Sequence, residues 1–313
     1  MLLNIVYILI GFLLLIKGGD YLINGAVVIA HKAKLSKMVI GLTIIGFGTS
    51  MPELLVSAQA ALAHNPGIAI GNVVGSNIGN IALILGASAL LCPLPTSRST
   101  MRIELPFMIL STILFVGIAM SGEIERLFGI ALFALLIFFT AWQIRRSRKA
   151  TQQAEEVEEP VNEKPLWAAI LIVLGSFAAL VFGANLLVQG ASDIAVQLGV
   201  SDRLIGLTIV AVGTSLPELF ASVMAAKKGE TDMAVGNIIG SVTFNILCVI
   251  GVSSAIFPIH ESKVGFEFDY LFMIGLSLLL WFFMSTKRVL ERWEGVVLLL
   301  LYVGYVAYTI FRG

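Results

Sequence analysis

Charged residues are scarce in this sequence. Asp, Glu, Lys and Arg make up 13% of its 313 residues, roughly half of the share that soluble domains carry, and 58% of the residues are hydrophobic. The 20 basic and 20 acidic residues leave a formal net charge of zero, so no basic excess suggests a nucleic-acid partner. This composition predicts a polytopic membrane protein that lies in a lipid bilayer.

Residue types that bind zinc or copper are also scarce. The two cysteines, Cys92 and Cys248, lie in apolar runs without CxxC spacing, which predicts small buried residues. The three histidines, His31, His64 and His260, fall in predicted loops. There is no HExxH motif, no Ser–His pair within the apolar runs and no globular segment to hold a cofactor. We therefore predict neither an enzyme nor a resident cofactor.

Ten apolar runs are each about as long as a membrane-spanning helix, which needs about 20 residues. One long polar segment, RRSRKATQQAEEVEEPVNEK, divides them five and five. We predict an all-α membrane protein with five transmembrane helices in 1–144, a linker at 145–164 and five transmembrane helices in 165–313. The runs are 3–30, 38–63, 68–94, 103–121, 126–144, 165–191, 203–226, 232–258, 268–285 and 293–311.

The distribution of basic residues predicts the orientation. With the N-terminus outside, the loops on the linker side carry 15 lysines and arginines, and the opposite side carries four. The positive-inside rule then places the linker in the cytoplasm and both termini outside. No segment indicates an obligate protein partner. The four basic residues on the outer side are Arg126, Arg203, Lys263 and Arg312.

The chain contains an internal duplication. The stretch GLTIIGFGTSMPELLVSAQAA from Gly41 matches GLTIVAVGTSLPELFASVMAA from Gly206, and AIGNVVGSNIGNI matches AVGNIIGSVTFNI at the same offset of 165. The alignment needs no gap over 41–81 and contains 20 identities in 41 positions. Since each half has an odd number of spans, the halves enter the membrane from opposite faces. Inverted repeats are typical of secondary transporters, which bind ions near the midplane where broken helices meet.

The best-matched residues of the duplication are polar or helix-breaking, which indicates a shared function rather than shared packing. Pro52 and Pro217 lack a backbone N–H and predict a break in the second span of each half. One turn of helix stacks the oxygens of the hydroxyl residues on those of the glutamates. The clusters are Thr49, Ser50 and Glu53, with Ser76 and Asn80 in the next span, and Thr214, Ser215 and Glu218, with Ser241 and Asn245.

Two carboxylates among neutral oxygens suit Ca²⁺ or Na⁺. The formal charge of −2 is matched by one Ca²⁺, by Na⁺ ions or by protons. Because bare carboxylates are costly in a low-dielectric site, an empty carrier rarely reorients, which favours an exchanger over a uniporter. A structural alternative is an ion pair between Glu53 and Lys17, although Phe182 at the matching position prevents its repetition.

The motifs GTSMPE with GNVVGSNIGN, and GTSLPE with GNIIGSVTFN, resemble the two alpha-repeats of the sodium/calcium exchanger family, within the cation/Ca²⁺ antiporter superfamily. The resemblance covers both halves and all ten predicted spans. It is closest to the prokaryotic type and so implies the inner membrane. It also implies exchange of Ca²⁺ against Na⁺ by alternating access, with the first spans of the two halves sliding across a fixed core.

The resemblance also implies a ligand set. Glu53 and Glu218 would be the central carboxylates, bound to Ca²⁺ and shared with Na⁺. The carbonyls of Gly46 and Ala211 would line the outer Na⁺ positions. Hydroxyl, carbonyl and amide oxygens would come from Thr49, Ser50, Thr214, Ser215, Ser76, Asn80, Ser241 and Asn245.

Two departures from the family pattern stand out. Some members have Asp where this chain has Asn245, and an amide without charge weakens the case for K⁺ co-transport. The second repeat contains GSVTFN where the first contains GSNIGN, and Thr243 is a candidate to offset the missing amide. The linker is too short for a Ca²⁺-sensing domain, so we expect no such regulation.

Two other functions stay open at this point. A Ca²⁺/H⁺ antiporter would use the same two glutamates, although the spans offer few acids or histidines to relay protons. A cation channel with a ring of glutamates is less consistent with an inverted pair in one chain, since pores usually repeat by oligomeric symmetry.

Overall fold

The computed structural model describes residues 1–153, 164–199, 211–260 and 266–312. Within these ranges the chain is almost entirely helical. The helices are α1 Leu2–Lys32, α2 Lys37–Thr49, α3 Met51–Leu62, α4 Gly67–Leu91, α5 Thr100–Ala119, α6 Arg126–Gln153, α7 Leu166–Gln197, α8 Ala211–Thr214, α9 Leu216–Lys227, α10 Thr231–Ile256, α11 Glu267–Lys287 and α12 Arg292–Arg312.

The helices confirm the predicted ten-span architecture. In the described part of the chain, eight are long and apolar enough to cross a membrane alone, and α2 with α3 forms a ninth span. The helices α8 and α9 are the described part of the tenth span, predicted at 203–226. Each half thus contributes five spans, of which the second is broken.

Both broken spans turn at the predicted prolines. The axes of α2 and α3 differ by 46°, and Ser50 between them leaves helical geometry at φ −87°, ψ 9°. Pro52 lies in the first turn of α3, where backbone N–H groups have no acceptor within the helix, so the missing N–H of proline costs no hydrogen bond. Pro217 occupies the same place in α9, after Ser215 at φ −91°, ψ 4°. Each glutamate of the motif is consequently in the first turn of a half-helix.

In the described part of the chain, four spans contain π-helical turns that the sequence did not predict. They lie at Gly41–Ile45 in α2, Gly79–Ile84 in α4, Thr100–Glu104 in α5 and Asn245–Ile250 in α10. Such turns are frequent at functional sites, and two of them contain Asn80 and Asn245. Uniformly apolar runs have no clear periodicity from which a change of helical register could be detected.

Two short antiparallel strand pairs relate the halves. The strand β1 (Leu94–Pro95) pairs with β4 (Val289–Leu290), and β2 (Glu123–Ile124) pairs with β3 (Ile259–His260). Shifted by 165 residues, β1 falls on β3, and β2 falls within one residue of β4. The strand β1 thus pairs with β4, the repeat counterpart of β2, and β2 pairs with β3, the repeat counterpart of β1. A two-fold relation between the halves requires this pairing. We name the end with β1 and β4 the linker face and the end with β2 and β3 the termini face.

The first helices of the two halves, α1 and α7, pack closely as an antiparallel pair. A Cβ atom on Gly11 would lie 2.6 Å from the carbonyl oxygen of Gly183, and one on Gly190 would lie 2.6 Å from that of Asn4. Gly18 and Gly25 continue this seam at seven-residue intervals. Small residues at such intervals allow close backbone approach in a membrane.

The predicted linker begins inside a helix, because α6 continues to Gln153. Contacts hold this extension: Arg146 forms an ion pair with Glu104 at 3.5 Å, and Ser147 Oγ accepts a hydrogen bond from the Ser36 N–H at 2.8 Å. The remainder of the predicted linker, apart from Lys164, lies outside the described residues.

Candidate cation site

The two motif glutamates are fully buried at equivalent points of the two halves. Glu53 in α3 is 1% exposed, and Glu218 in α9 is 0% exposed. Each lies in the first turn of its half-helix. There, free N–H groups and the helix dipole favour a negative charge. The break before each proline therefore partly offsets the cost of burying these carboxylates.

A hydrogen bond between the halves brings the two glutamates to one place. Ser50 Oγ donates to Glu218 Oε1 at 3.0 Å. Since Ser50 is three residues before Glu53, Glu218 lies against the turn that carries Glu53. Two carboxylates from opposite halves thus converge where the broken spans meet.

Four buried oxygen atoms of the predicted ligands accept no hydrogen bond. They are Glu53 Oε2, Glu218 Oε2, Asn80 Oδ1 and Asn245 Oδ1, all on side chains at most 1% exposed. The turns that carry Asn80 and Asn245 pack against the half-helices of Glu218 and Glu53, respectively. A buried polar atom without a partner costs about 1–3 kcal/mol. All four atoms are acceptors, and they come equally from the two halves. A hard cation would satisfy them together.

The structural alternative for Glu53 is wrong. Lys17 is exposed on α1 and forms no ion pair with Glu53. Its neighbour Asp20 forms an ion pair with Lys228 at 2.7 Å. Among the described residues, no lysine or arginine forms an ion pair with Glu53 or Glu218. The negative charge of the pair is therefore not balanced by a basic side chain in that part of the chain.

Other predicted ligands of the first half lie beside the glutamates but are engaged in hydrogen bonds. Thr49 Oγ1 donates to the Ile45 carbonyl at 3.1 Å and contacts Asn237 Oδ1 at 3.3 Å. The Gly46 carbonyl accepts from Ser241 Oγ at 3.2 Å. A cation at the Gly46 oxygen would have to compete with this hydroxyl. The bond also joins predicted ligands of opposite halves.

The second half differs from the first around Asn245. Its Nδ2 donates to Asn77 Oδ1 at 3.1 Å, which orients the amide and leaves Asn245 Oδ1 without a donor. Thr243 does not offset the amide missing from the second repeat, because its hydroxyl bonds the Ile239 carbonyl of its own helix at 2.7 Å. Asn77 from the first half therefore lies against Asn245.

Two asparagines were missed by the sequence analysis. Asn72 Nδ2 donates to the Glu53 carbonyl at 3.1 Å and to Ser57 Oγ at 2.8 Å. Asn237 Nδ2 makes the equivalent bonds in the other half, to the Glu218 carbonyl at 3.3 Å and to Ser222 Oγ at 2.8 Å. Both tie a half-helix to the following span. The sequence does contain a signal for them, because Gly71-Asn72 of the first repeat aligns with Gly236-Asn237 of the second. Residue spacing within one span could not show which groups these asparagines contact.

We expect Asn237→Ala to lower Ca²⁺ affinity by about tenfold or more and to destabilise the protein by about 1–3 kcal/mol. The change leaves the partners of Asn237 without their bonds and loosens the half-helix that positions Glu218. Thermal unfolding with and without Ca²⁺ measures both effects. The control is Asn65→Ala, an exposed amide. Affinity equal to that of the wild type would contradict a positioning role.

A cavity of about 570 Å³ connects the site to the termini face. Ser76, Thr214 and Ser215 line it together with Asp269 at the start of α11 and Tyr305 near the end of α12. The predicted ligand Ala211 is the first described residue of α8, next to this wall. The cavity therefore reaches three of the predicted ligands, Ser76, Thr214 and Ser215, from the termini face.

The opposite side of the site is closed by backbone packing. A Cβ atom on Gly236 in α10 would lie 2.6 Å from the Met38 carbonyl oxygen, and one on Gly240 would lie even closer to that of Leu42. In α4, a Cβ atom on Gly75, the repeat counterpart of Gly240, would meet no atom of the described residues within 4 Å. Within the part of the chain that the structure describes, the two halves thus have similar sequences but different contacts around these glycines, and the cavity opens to the termini face.

The sequence profile of the sodium/calcium exchanger protein family matches residues 3–145 and 168–311. The chain belongs to this family. Its relatives in the family include sodium/calcium exchanger MaX1 of Methanosarcina acetivorans, 35% identical over 344 residues, with 96% of this chain and 97% of that protein covered. A candidate antiporter of Alkalimonas amylolytica, CaxA, is 39% identical over 315 residues, covering 97% of this chain and 98% of the relative.

A solved structure of the family has the same fold. The sodium-calcium exchanger NCX_Mj, soaked with 10 mM Na⁺ and without Ca²⁺, superposes with a TM-score of 0.86 at 33% identity, covering 98% of each chain. The family match and this structure confirm the predicted resemblance and the multi-pass membrane architecture. They also confirm that the protein is a transporter of the antiporter type and not an enzyme.

Proposed function

We propose that this protein exchanges Na⁺ for Ca²⁺ by alternating access, with the ions bound around Glu53 and Glu218. The observation that carries the proposal is the set of four buried acceptor oxygens without donors, two from each half. Their number and type suit a hard cation, and the proposed Ca²⁺ and Na⁺ are transported cargo. We propose no resident cofactor and no obligate protein partner.

Charge explains why transport would be an exchange. One Ca²⁺ neutralises the two carboxylates, and so do two Na⁺, whereas the empty site keeps a charge of −2 away from water. Because uncompensated buried charge is costly, reorientation is favoured only when ions are bound. Ca²⁺ and Na⁺ compete for the same carboxylates, with Na⁺ also using the oxygens of Gly46, Ala211 and the motif hydroxyls.

The basic residues support an orientation with the linker in the cytoplasm and both termini outside, in the inner membrane of a prokaryote. In this orientation the cavity of about 570 Å³ opens to the exterior, and the contact of α2 with α10 closes the cytoplasmic side. The structure then corresponds to an outward-facing state.

Na⁺ is favoured over H⁺ as the counter-ion for two reasons. The relatives MaX1 and NCX_Mj are named as sodium/calcium exchangers. In addition, a proton pathway needs successive titratable groups, and the ten predicted spans contain no histidine and few acids besides the two glutamates. The alternative, a Ca²⁺/H⁺ antiporter with the same glutamates, is tested by the same experiment.

We expect an outward Na⁺ gradient to drive Ca²⁺ uptake into proteoliposomes, because the two ions compete for one set of carboxylates. Uptake of radioactive Ca²⁺ is measured with internal Na⁺ and, as the control, with internal choline at equal osmolarity. A pH gradient without Na⁺ is the third condition.

The three conditions separate the candidate functions. Uptake with a pH gradient but not with a Na⁺ gradient would reject Na⁺ coupling in favour of H⁺ coupling. Uptake with choline alone, without any counter-ion, would indicate a channel. Uptake that requires internal Na⁺ supports the proposed exchange.

A further inference from the structure

A third acidic residue, distant from the two glutamates in sequence, lies on the open cavity. Asp269 is in the first turn of α11 and is partly exposed. It is the one charged side chain among the described residues that line the cavity of about 570 Å³. Ser76, Thr214 and Ser215 line the same cavity. A cation that enters by this cavity therefore passes Asp269 before it reaches the site.

Among the described residues, none compensates the charge of Asp269. Tyr305 donates a hydrogen bond to Asp269 Oδ1 at 2.8 Å, and its ring stacks on Phe272 with 5.0 Å between ring centroids. Phe266 and Tyr302 form further aromatic walls of the cavity. In the described part of the chain no basic residue forms an ion pair with Asp269. A single charge in a cleft with low-dielectric walls attracts counter-ions strongly.

The internal repeat places an acid at the equivalent point of the other face. Asp269 is 165 residues after Glu104, and the stretches Glu-Leu-Pro-Phe-Met-Ile and Asp-Tyr-Leu-Phe-Met-Ile share three residues in register. Glu104 lines a separate cavity of about 670 Å³ at the linker face. Just as Asp269 contacts the last helix of its half, Glu104 contacts α6, the last helix of the first half.

The acid on the closed side is masked, unlike the acid on the open side. Glu104 is 2% exposed and accepts bonds from Gln143 Nε2 at 2.8 Å and from Ser99 Oγ at 2.9 Å. Arg146 lies 3.5 Å from its carboxylate and supplies a positive charge. The environments of the two acids thus follow the state of the two faces. Asp269 has no ion-pair partner among the described residues at the open face, whereas Glu104 is paired with Arg146 at the closed face.

We propose that Asp269 is an entry group that concentrates cations at the termini face, and that Glu104 is its counterpart at the linker face. This inference rests on the proposed function, because it assigns the group that admits Ca²⁺ to that same site. Asp269 acts before binding, through its charge on the approaching ion. It therefore affects the concentration of Ca²⁺ needed for transport and not the rate of the loaded carrier.

The test is Ca²⁺/Ca²⁺ counterflow in right-side-out and inverted membrane vesicles, which expose opposite faces. We expect Asp269→Asn to raise the KM for Ca²⁺ at the termini face by about tenfold, with little change in maximal rate. The effect should shrink when choline chloride raises the ionic strength, because screening shortens the reach of the charge. Glu104→Gln should raise the KM at the linker face only.

Two variants separate charge from structure. Asp269→Glu keeps the charge and should keep the KM of the wild type. Tyr305→Phe removes the hydrogen bond and leaves the carboxylate, so it should also keep that KM. If Tyr305→Phe reproduces the effect of Asp269→Asn, the residue anchors the tyrosine and the proposal is wrong. A KM changed equally at both faces, or a lower maximal rate with unchanged KM, would also overturn it.

Counterflow also separates this inference from the choice of counter-ion, because it needs no Na⁺. A face-specific effect of Asp269→Asn in a protein that shows no Na⁺-driven uptake would support the entry group and reject Na⁺ coupling. A wild-type protein without any Ca²⁺ counterflow would reject both.

Discussion

Glutamine in place of Glu53 or Glu218 is expected to abolish Ca²⁺ transport and to leave the fold intact. The amide keeps the volume of the side chain but removes one of two charges and can place an N–H among acceptor oxygens that lack donors. A pair of unit charges at ~4 Å interacts with about 4 kcal/mol near a protein surface. Loss of that interaction corresponds to a fall in Ca²⁺ affinity of more than about a hundredfold.

Stability provides an independent measurement for the same variants. Without Ca²⁺, each glutamine variant is expected to unfold at the temperature of the wild type or above it, since a buried bare charge has been removed. With Ca²⁺ at ~100 times the wild-type Kd, the wild type gains about 2.7 kcal/mol and the variants gain less than about 0.4 kcal/mol. Calorimetric scans with and without Ca²⁺ measure the difference.

The matched control is Glu291→Gln, which removes an exposed carboxylate that pairs with Lys287 at 2.7 Å between α11 and α12. This variant is expected to transport and bind Ca²⁺ like the wild type. If Glu53→Gln or Glu218→Gln transports Ca²⁺ with an unchanged KM, that carboxylate is not a ligand, and the proposed site is wrong.

Alanine at Gly75 is expected to bind Ca²⁺ normally and to reduce transport by more than about tenfold. In the observed state a Cβ atom on Gly75 meets no atom of the described residues within 4 Å, so we expect the substitution to be tolerated. Its repeat counterpart Gly240 packs against the backbone of Leu42, where the linker face is closed. If the opposite state uses the same packing in the other half, Gly75 must then approach the second span of the second half, predicted at 203–226, equally closely. The added methyl group would prevent that closure.

Two further variants test this explanation. Gly240→Ala is expected to destabilise the observed state, because its Cβ atom would collide with a backbone carbonyl that cannot move aside as a side chain could. Gly117→Ala in α5 is the control, since its Cβ atom also meets nothing within 4 Å. Ca²⁺-dependent thermal shifts report binding, and counterflow reports transport. Full transport by Gly75→Ala would show that closure does not follow the repeat.

The sequence predicted the features that depend on neighbouring residues. Pro52 and Pro217 break their spans because the missing N–H acts within one turn. The duplication identified Glu53 and Glu218 as equivalent, because a lone acid in an apolar run is conspicuous. The expected hydroxyl ligands were less predictable, since Thr49 and Ser241 have partners in other segments.

The hydrogen bonds of the buried asparagines could not be predicted from the sequence of a single span. Asn72 and Asn237 lie in the aligned repeats, but their partners are carbonyls and serines 15 and 19 residues away, in a preceding half-helix. Asn77 contacts Asn245 from the other half, 168 residues away. These bonds depend on how the helices cross, which helical periodicity does not contain.

The sequence by itself determined the number of spans, the repeat, the breaks and the identity of the acids, because apolar length, proline and isolated charge act locally. Only the tertiary structure decided which oxygens have no donor and which face is open. Those properties depend on contacts between segments more than a hundred residues apart. Among the described residues, the two halves differ in their contacts around Gly75 and Gly240 although their sequences are similar, since one sequence can adopt two packings that differ by only a few kcal/mol.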